Sequence, residues 1–243
     1  IVLLQLTTRK AAMWARMQLE FVARIAHELR TPLSVIGFAS ENLADDVVTD
    51  LSKAKTYGKV IHKESRRLSR VVESALLHSR IESGSMEAME FQPINVMEMV
   101  EVALQGIDLS GIDVRKDLAP NLPEVTGDVA ALTSALQNLF SNAQKHGGER
   151  GSVLVKARET TVANTGVVEI QIRDEGPGIA SVDLPHIFKP FYRGKAARDN
   201  QVEGSGIGLS LVKHVVDSHG GNVRAESLSD GGSCFKVFLP VGT

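Results

Sequence analysis

Between Leu51 and Glu82, small and apolar side chains return every seven residues along two lines. One line runs through Leu51, Gly58, Ser65, Val72 and Ser79, the other through Ala54, Ile61, Leu68 and Ala75. A sustained period of seven specifies a long helix that packs along a seam. Glycine, serine and alanine make that seam thin, so the helix needs partners. The preceding segment supplies one, because Val22, Ile25, Leu29, Leu33 and Ile36 recur at spacings of three and four. Helices are expected from about Thr8 to Leu43 and from about Leu51 to Glu82, joined through the polar stretch DDVVTD, with Gly84 as a C-cap. They form an antiparallel hairpin with too little core to stand alone. Pairing with a second copy through residues 19–85 would close a C2 four-helix bundle.

Within the first helix, His27 lies two residues from Ile25 and two from Leu29. At about 100° per residue it points nearly opposite the apolar stripe, toward water. Pro32 removes one backbone donor a turn later and is expected to kink the helix there. Residues 1–18 read as an N-terminal linker or signalling helix. The opening IVLLQL lacks an initiator methionine, which reads as a fragment whose start is the tail of a membrane helix or of a linker.

From Phe91 onward the texture changes. FQPINV predicts a strand and then a helix capped at Asn95, while DVRKDL and PEVTG predict short edge strands. Asp128 is placed to cap a helix whose Val129, Leu132, Leu136, Leu139 and Ala143 face inward. GSVLVKARET and GVVEIQIRDEG alternate with period two and predict a hairpin. A last helix from about Gly208 to Ser218 precedes the hairpin GNVRAESL and GSCFKVFLP. Residues 91–243 therefore predict an α/β sandwich, one mixed sheet covered by helices.

Composition narrows the function classes. The chain has 27 basic and 29 acidic residues, which argues against nucleic acid and against a polybasic membrane surface. A single cysteine, Cys234, rules out an internal disulfide framework and a thiolate metal cluster.

Three stretches carry chemistry. In NLFSNAQKH, Asn138 and Asn142 are four apart, with Lys145 and His146 one turn on, so they share a polar face. That is either a solvated face or a platform for a magnesium triphosphate. Magnesium takes hard oxygen ligands and only one or two from protein, so the Asn142 amide suits it. In RDEGPGIA, Asp174 ends a strand before Gly176 and Gly178. The segment is a plain turn, or a carboxylate that accepts from an adenine amino group with glycines admitting the base. In GSGIGLSLVKHVV, Gly204, Gly206 and Gly208 precede a helix whose N-terminal donors favour anions. No Rossmann strand precedes them, so a dinucleotide fingerprint fails its context. The intervening IFKPFYRGKAARDNQVEGSG, anchored by Phe188 and Phe191, reads as a lid without structure of its own.

In order and at ordinary spacing, these pieces resemble a bacterial sensor histidine kinase of two-component signalling. AHELRTPL resembles the phosphoacceptor box and NLFSNAQKH the asparagine box. DEGPGI, IFKPFYRG and GSGIGLSLVK resemble the first glycine, phenylalanine and second glycine boxes. The resemblance implies a dimerising phosphoacceptor hairpin followed by an ATP-binding domain of the Bergerat type. It implies that His27 is phosphorylated from ATP with Glu28 as base, and that the phosphoryl group passes to a response-regulator receiver domain. Thr31 would orient water for dephosphorylating that partner. Asn142 would hold Mg2+, with Asn138 and Lys145 near the phosphates and His146 standing where a tyrosine is common. Asp174 would read adenine with Ser233 in support. Gly176, Gly178 and Ile179 would line the base, and Gly204, Ser205, Gly206, Ile207, Gly208 and Leu209 the phosphates. Phe191 and Arg193 would belong to the lid, with Arg193 reaching phosphate on closure. The implied location is the cytoplasmic portion of an inner-membrane sensor. Two other readings remain open: an ATP-driven conformational machine of the same ATPase superfamily, and a nucleotide-binding dimerisation module that transfers nothing.

Overall fold

The computed structural model describes residues 2–44, 50–82, 89–107, 109, 111–147, 151–162, 164–190, 192–199 and 206–242. These fall into two compact units, residues 1–80 and 81–243. The division comes within the last turn of the second helix, ahead of the boundary near 85 suggested by the sequence, which lies outside the described residues.

The first unit consists of α1 (Val2–Ala44) and α2 (Leu51–Glu82). Helix α1 starts six residues before the expected Thr8 and runs through Pro32 as one helix, so the proline removes a donor without ending it. Pro32 and Ala39 are buried, the latter at 1% exposure. The two heptad lines of α2 differ in burial: Ala54, Ile61, Leu68 and Ala75 are half-buried, while Leu51 and Val72 are 71% and 41% exposed. On α1, Val22 and Leu33 lie eleven residues apart on one line and are each 61% exposed. A single hairpin thus covers one seam and leaves another apolar line bare. Among the described residues no helix is long and apolar enough to cross a membrane.

The second unit orders its elements as β1 (Gln92–Ile94), α3 (Val96–Gln105), β2 (Asp113–Leu118), β3 (Val125–Gly127), α4 (Val129–His146), β4 (Ser152–Val162), β5 (Thr165–Asp174), α5 (Lys195–Asp199), α6 (Gly208–Ser218), β6 (Asn222–Ser227) and β7 (Ser233–Pro240). Five strands form a mixed sheet in the order β2-β4-β5-β7-β6, with only β2–β4 parallel, and β1 pairs with β3 apart from it. Period-two alternation turns Val153, Val155, Val168, Ile170, Ile172, Phe235, Val237 and Leu239 to one face, where all are buried. Against that face α4 buries Leu132, Leu136, Leu139, Phe140 and Ala143, while Val129 is only half-buried. Helices α3 and α6 flank α4 and bury Val100, Ala103, Val212 and Val215 completely. The Asn95 and Asp128 side chains cap α3 and α4 as their positions predict. The expected structureless lid contains α5, so a short helix replaces part of that loop.

Candidate functional site

In the second unit, the antiparallel register sets Asp174 at the end of β5 opposite Val153, beside the start of β7. Its carboxylate is 1% exposed and collects three donors. Oδ1 accepts the Gly176 N–H at 2.9 Å and the Ser233 N–H at 3.2 Å, and Oδ2 accepts the Ser233 hydroxyl at 2.5 Å. Three protein donors leave part of the four lone-pair sites of a carboxylate for an outside donor. The backbone around it is packed too closely for side chains. A Cβ on Gly176 would fall 2.1 Å from the His146 carbonyl, and Gly178 has φ +77°, a left-handed conformation that glycine adopts without strain. The Ile179 N–H then donates to Ser227 Oγ at 3.1 Å, which pins the turn to β6.

Helix α4 runs beside this turn. Asn138 and Asn142 are half-buried on it, Lys145 is exposed, and His146 closes its last turn. The Asn138 amide donates to the Ser134 carbonyl at 2.9 Å, and a Cβ on Gly208 would stand 2.9 Å from Asn138 Oδ1. The first turn of α6 is therefore in contact with the asparagine face. Ile207, buried at the N-cap of α6, supplies no side-chain cap. Burial, chiefly, holds the His146 imidazole below its ordinary range; Lys145 and Arg193 add to this and Asp174 opposes it. Charges of both signs thus converge on this end of α4. Arg193 is half-buried and donates to the Ala197 carbonyl of α5 at 3.1 Å, and Phe188 meets Phe235 edge-on at 6.5 Å. Gly206 and Leu209 are half-buried beside Gly208, whereas Phe191, Gly204 and Ser205, expected at the site, lie outside the described residues.

Two contacts had no signal in the sequence. Ser227 comes from 48 residues beyond Ile179, with no local pattern linking them. Asp183, 8% exposed, accepts the Tyr192 hydroxyl at 2.6 Å and ties the base of the lid to the turn before it. On the opposite sheet face a cavity of about 220 Å³ is lined by Gln171, Arg173, Cys234 and Lys236 among others. Its cations Lys156, Arg173 and Lys236 are already paired with Asp117, Asp230 and Glu226, so it is a poor anion site.

In the first unit, His27 is exposed on α1, Glu28 beside it is half-buried, and Thr31 is exposed one turn on. The Thr31 hydroxyl makes a long contact of 3.5 Å to the His27 carbonyl, which leaves its lone pairs facing solvent. His27 stands clear of the greasy stripe, as its phase predicts.

Comparison with known proteins agrees with both units. Residues 17–84 match the family model described as His Kinase A (phospho-acceptor) domain. Residues 127–243 match the model described as Histidine kinase-, DNA gyrase B-, and HSP90-like ATPase. The sensor-like histidine kinase SenX3 of Mycobacterium tuberculosis is 35% identical over 237 residues, which cover 93% of this chain and 55% of SenX3. The sensor histidine kinase ZraS of Escherichia coli K12 is 32% identical over 219 residues, 90% of this chain and 44% of ZraS. The chain thus spans about half the length of the curated relatives it matches. Among solved structures, histidine kinase ThkA in complex with response regulator protein TrrA superposes with a TM-score of 0.61 at 25% identity, over 96% of this chain and 65% of that one. The mycobacterial sensor histidine kinase MprB gives 0.54 at 29% identity, over 62% of this chain and 97% of that one. By its two domains, their order and its relatives, the chain belongs to the sensor histidine kinases of two-component systems.

Proposed function

We propose that the chain is a dimeric, ATP-dependent protein-histidine kinase that phosphorylates its own His27 and passes the phosphoryl group to an aspartate of a response-regulator receiver domain. The observation that carries this reading is a pairing within one chain. A buried carboxylate with spare acceptor capacity lies beside an asparagine-lined helix, and a solvent-facing histidine is flanked by Glu28 on a separate helical unit.

Asp174 accepts from the adenine amino group while Gly176 and Gly178 admit the ring. Asn138, Lys145 and the start of α6 face the phosphates. The Asn142 amide oxygen is a hard donor of the kind magnesium accepts, and it lies one turn from Asn138, which fits an ion held mainly by phosphate oxygens. Bound there, Mg2+ would neutralise charge on the β- and γ-phosphates. The His27 ring nitrogen attacks the γ-phosphorus, the bond to the β–γ bridging oxygen breaks, and ADP leaves. Glu28 takes the proton from the other ring nitrogen. Because such a transfer depends on in-line positioning and charge, an exposed histidine suffices on the acceptor side.

The exposed apolar side chains Val22 and Leu33 on α1 and Leu51 and Val72 on α2 support the dimer, since a second hairpin would cover them. The superposition on a kinase bound to its response regulator supports the receiver partner. Phosphatase activity through Thr31 is part of the same proposal. So is a place on the cytoplasmic side of a membrane sensor, in keeping with sensor-kinase relatives longer than the chain. Incubation of the chain and of His27→Gln with γ-phosphate-labelled ATP tests the reading. Acid-labile, base-stable label on the parent alone is expected. Phosphate release without label would instead favour an ATP-driven machine.

A further inference from the structure

His219 follows α6 and is buried, yet no catalytic motif contains it. Its ring is held at both nitrogens. Nε2 accepts the Asp128 N–H at 2.9 Å, so Nδ1 carries the proton and donates to the Val215 carbonyl at 2.6 Å. Asp128 is itself the cap of α4: Oδ1 accepts the Ala131 N–H at 2.9 Å, and Oδ2 accepts the Glu90 N–H at 3.2 Å. Phe91 stacks on the His219 ring with centroids 4.9 Å apart and planes inclined by 28°. On another side a Cβ at Gly127 would fall 2.4 Å from His219 Cδ2, so only glycine lets the ring sit there.

His219 and Asp128 together therefore join three parts: the end of α6, the start of α4, and the Glu90–Phe91 segment, which is reached through the Glu90 N–H and the Phe91 ring. Each of those helices carries part of the nucleotide site, Asn138 and Asn142 on α4 and Gly208 at the start of α6. The Glu90–Phe91 segment lies between α2 and β1 in sequence. Phe91 remains 50% exposed, so its stack on His219 contributes little to the core.

We propose that His219 is a positioning residue for the nucleotide site, and that it couples α4 and α6 to the segment that follows α2. The proposal rests on reading the Asp174 end as an ATP site. Helices are stiff along their axes, so a shift imposed at Phe91 reaches Asn138 and Gly208 through the ring.

The test uses the full chain, with Mg-ADP affinity measured by calorimetry and the autophosphorylation rate measured at saturating ATP. His219→Leu fills the space without the acceptor, and His219→Gln keeps an acceptor toward the Asp128 N–H. The net worth of one hydrogen bond corresponds to roughly two- to tenfold, so His219→Leu should weaken Mg-ADP by that factor and His219→Gln should restore affinity to within about twofold. Phe91→Ala, at a half-exposed ring, should leave Mg-ADP affinity within about twofold but change the rate by about threefold or more. Combined with His219→Leu, it should add no further rate change, because the two act through one contact. Unchanged affinity in folded His219→Leu, an equal loss in His219→Gln, or rate effects that multiply would each overturn the proposal. Should His219→Leu not fold, the Phe91→Ala rate decides alone, and an unchanged rate overturns the coupling. A parent that binds no Mg-ADP would instead defeat the nucleotide reading, before any variant is compared.

Discussion

Replacing Asp174 with asparagine changes one atom type at the most enclosed polar point of the second unit. The existing contacts can largely be remade. An amide oxygen at the Oδ1 position still accepts from Gly176 and Ser233 N–H, and an amide nitrogen at Oδ2 can donate to a rotated Ser233 hydroxyl. Bonds to a charged acceptor are about twice as strong as neutral ones, so the fold should lose about 1–2 kcal/mol, a fall in Tm of roughly 2–8 °C. Nucleotide binding suffers differently. The atom with spare acceptor capacity becomes a donor and faces the adenine amino group, also a donor. An unmade hydrogen bond at a buried site costs about 1–3 kcal/mol, or roughly 5- to 150-fold in Kd. Calorimetric titration with Mg-ADP well below the Tm reads this directly. The parent should also discriminate against GDP, whose carbonyl faces the same carboxylate, by on the order of 10²-fold. A folded Asp174→Asn protein that binds Mg-ADP within about twofold of the parent would refute the assignment of Asp174 to adenine.

Three further outcomes follow from particular contacts. Thr31→Ala should keep autophosphorylation and lose up to ~10²-fold in dephosphorylation of the cognate phospho-regulator, because only the second activity needs an oriented water; timing regulator decay with each protein checks it, and equal decay would remove Thr31 from that role. Burial holds the folded His146 below its ordinary value near 6.5, so the unfolded chain binds the extra proton first and acid destabilises the folded state as pH falls through that range. His146→Gln should therefore lose less stability than the parent between neutral and mildly acid pH in urea titrations. Gly176→Ala would put a methyl 2.1 Å from the His146 carbonyl, so the turn must shift. A cost of about 1–3 kcal/mol and a raised Mg-ADP Kd are expected, from thermal melts with and without nucleotide.

The parts of the fold that repeat were legible in the sequence. The heptads of α2, the caps Asn95 and Asp128, and the alternation of β4 and β5 are each dictated by local periodicity or by one side chain. The start of α6 at Gly208 was legible for the same reason. The short helix α5 was not, because five residues set no periodicity that a reader can test. Helix α1 continues through Pro32, as a helix expected to run to Leu43 requires. In the site, Asp174 and Ser233 stood out by their motif neighbours, and β5–β7 pairing explains why they meet. Ser227 and His219 did not stand out, since each closes a contact between segments distant in sequence, and the Asp183–Tyr192 pair, nine residues apart, follows no helical or strand period. Such partners are properties of the fold, and no short window contains them.

A histidine kinase of this design must place the γ-phosphoryl group of ATP on His27. Trypsin cleaves after Arg24 and Arg30 and releases residues 25–30, IAHELR, which contain His27 but no serine, threonine or tyrosine. The chain is incubated with Mg-ATP, digested at alkaline pH, and this peptide is analysed by mass spectrometry with fragmentation. A single phosphate on His27, stable in alkali and lost in mild acid, is the predicted result. An unmodified peptide from a sample that has turned over ATP, or carries phosphate elsewhere, would contradict it.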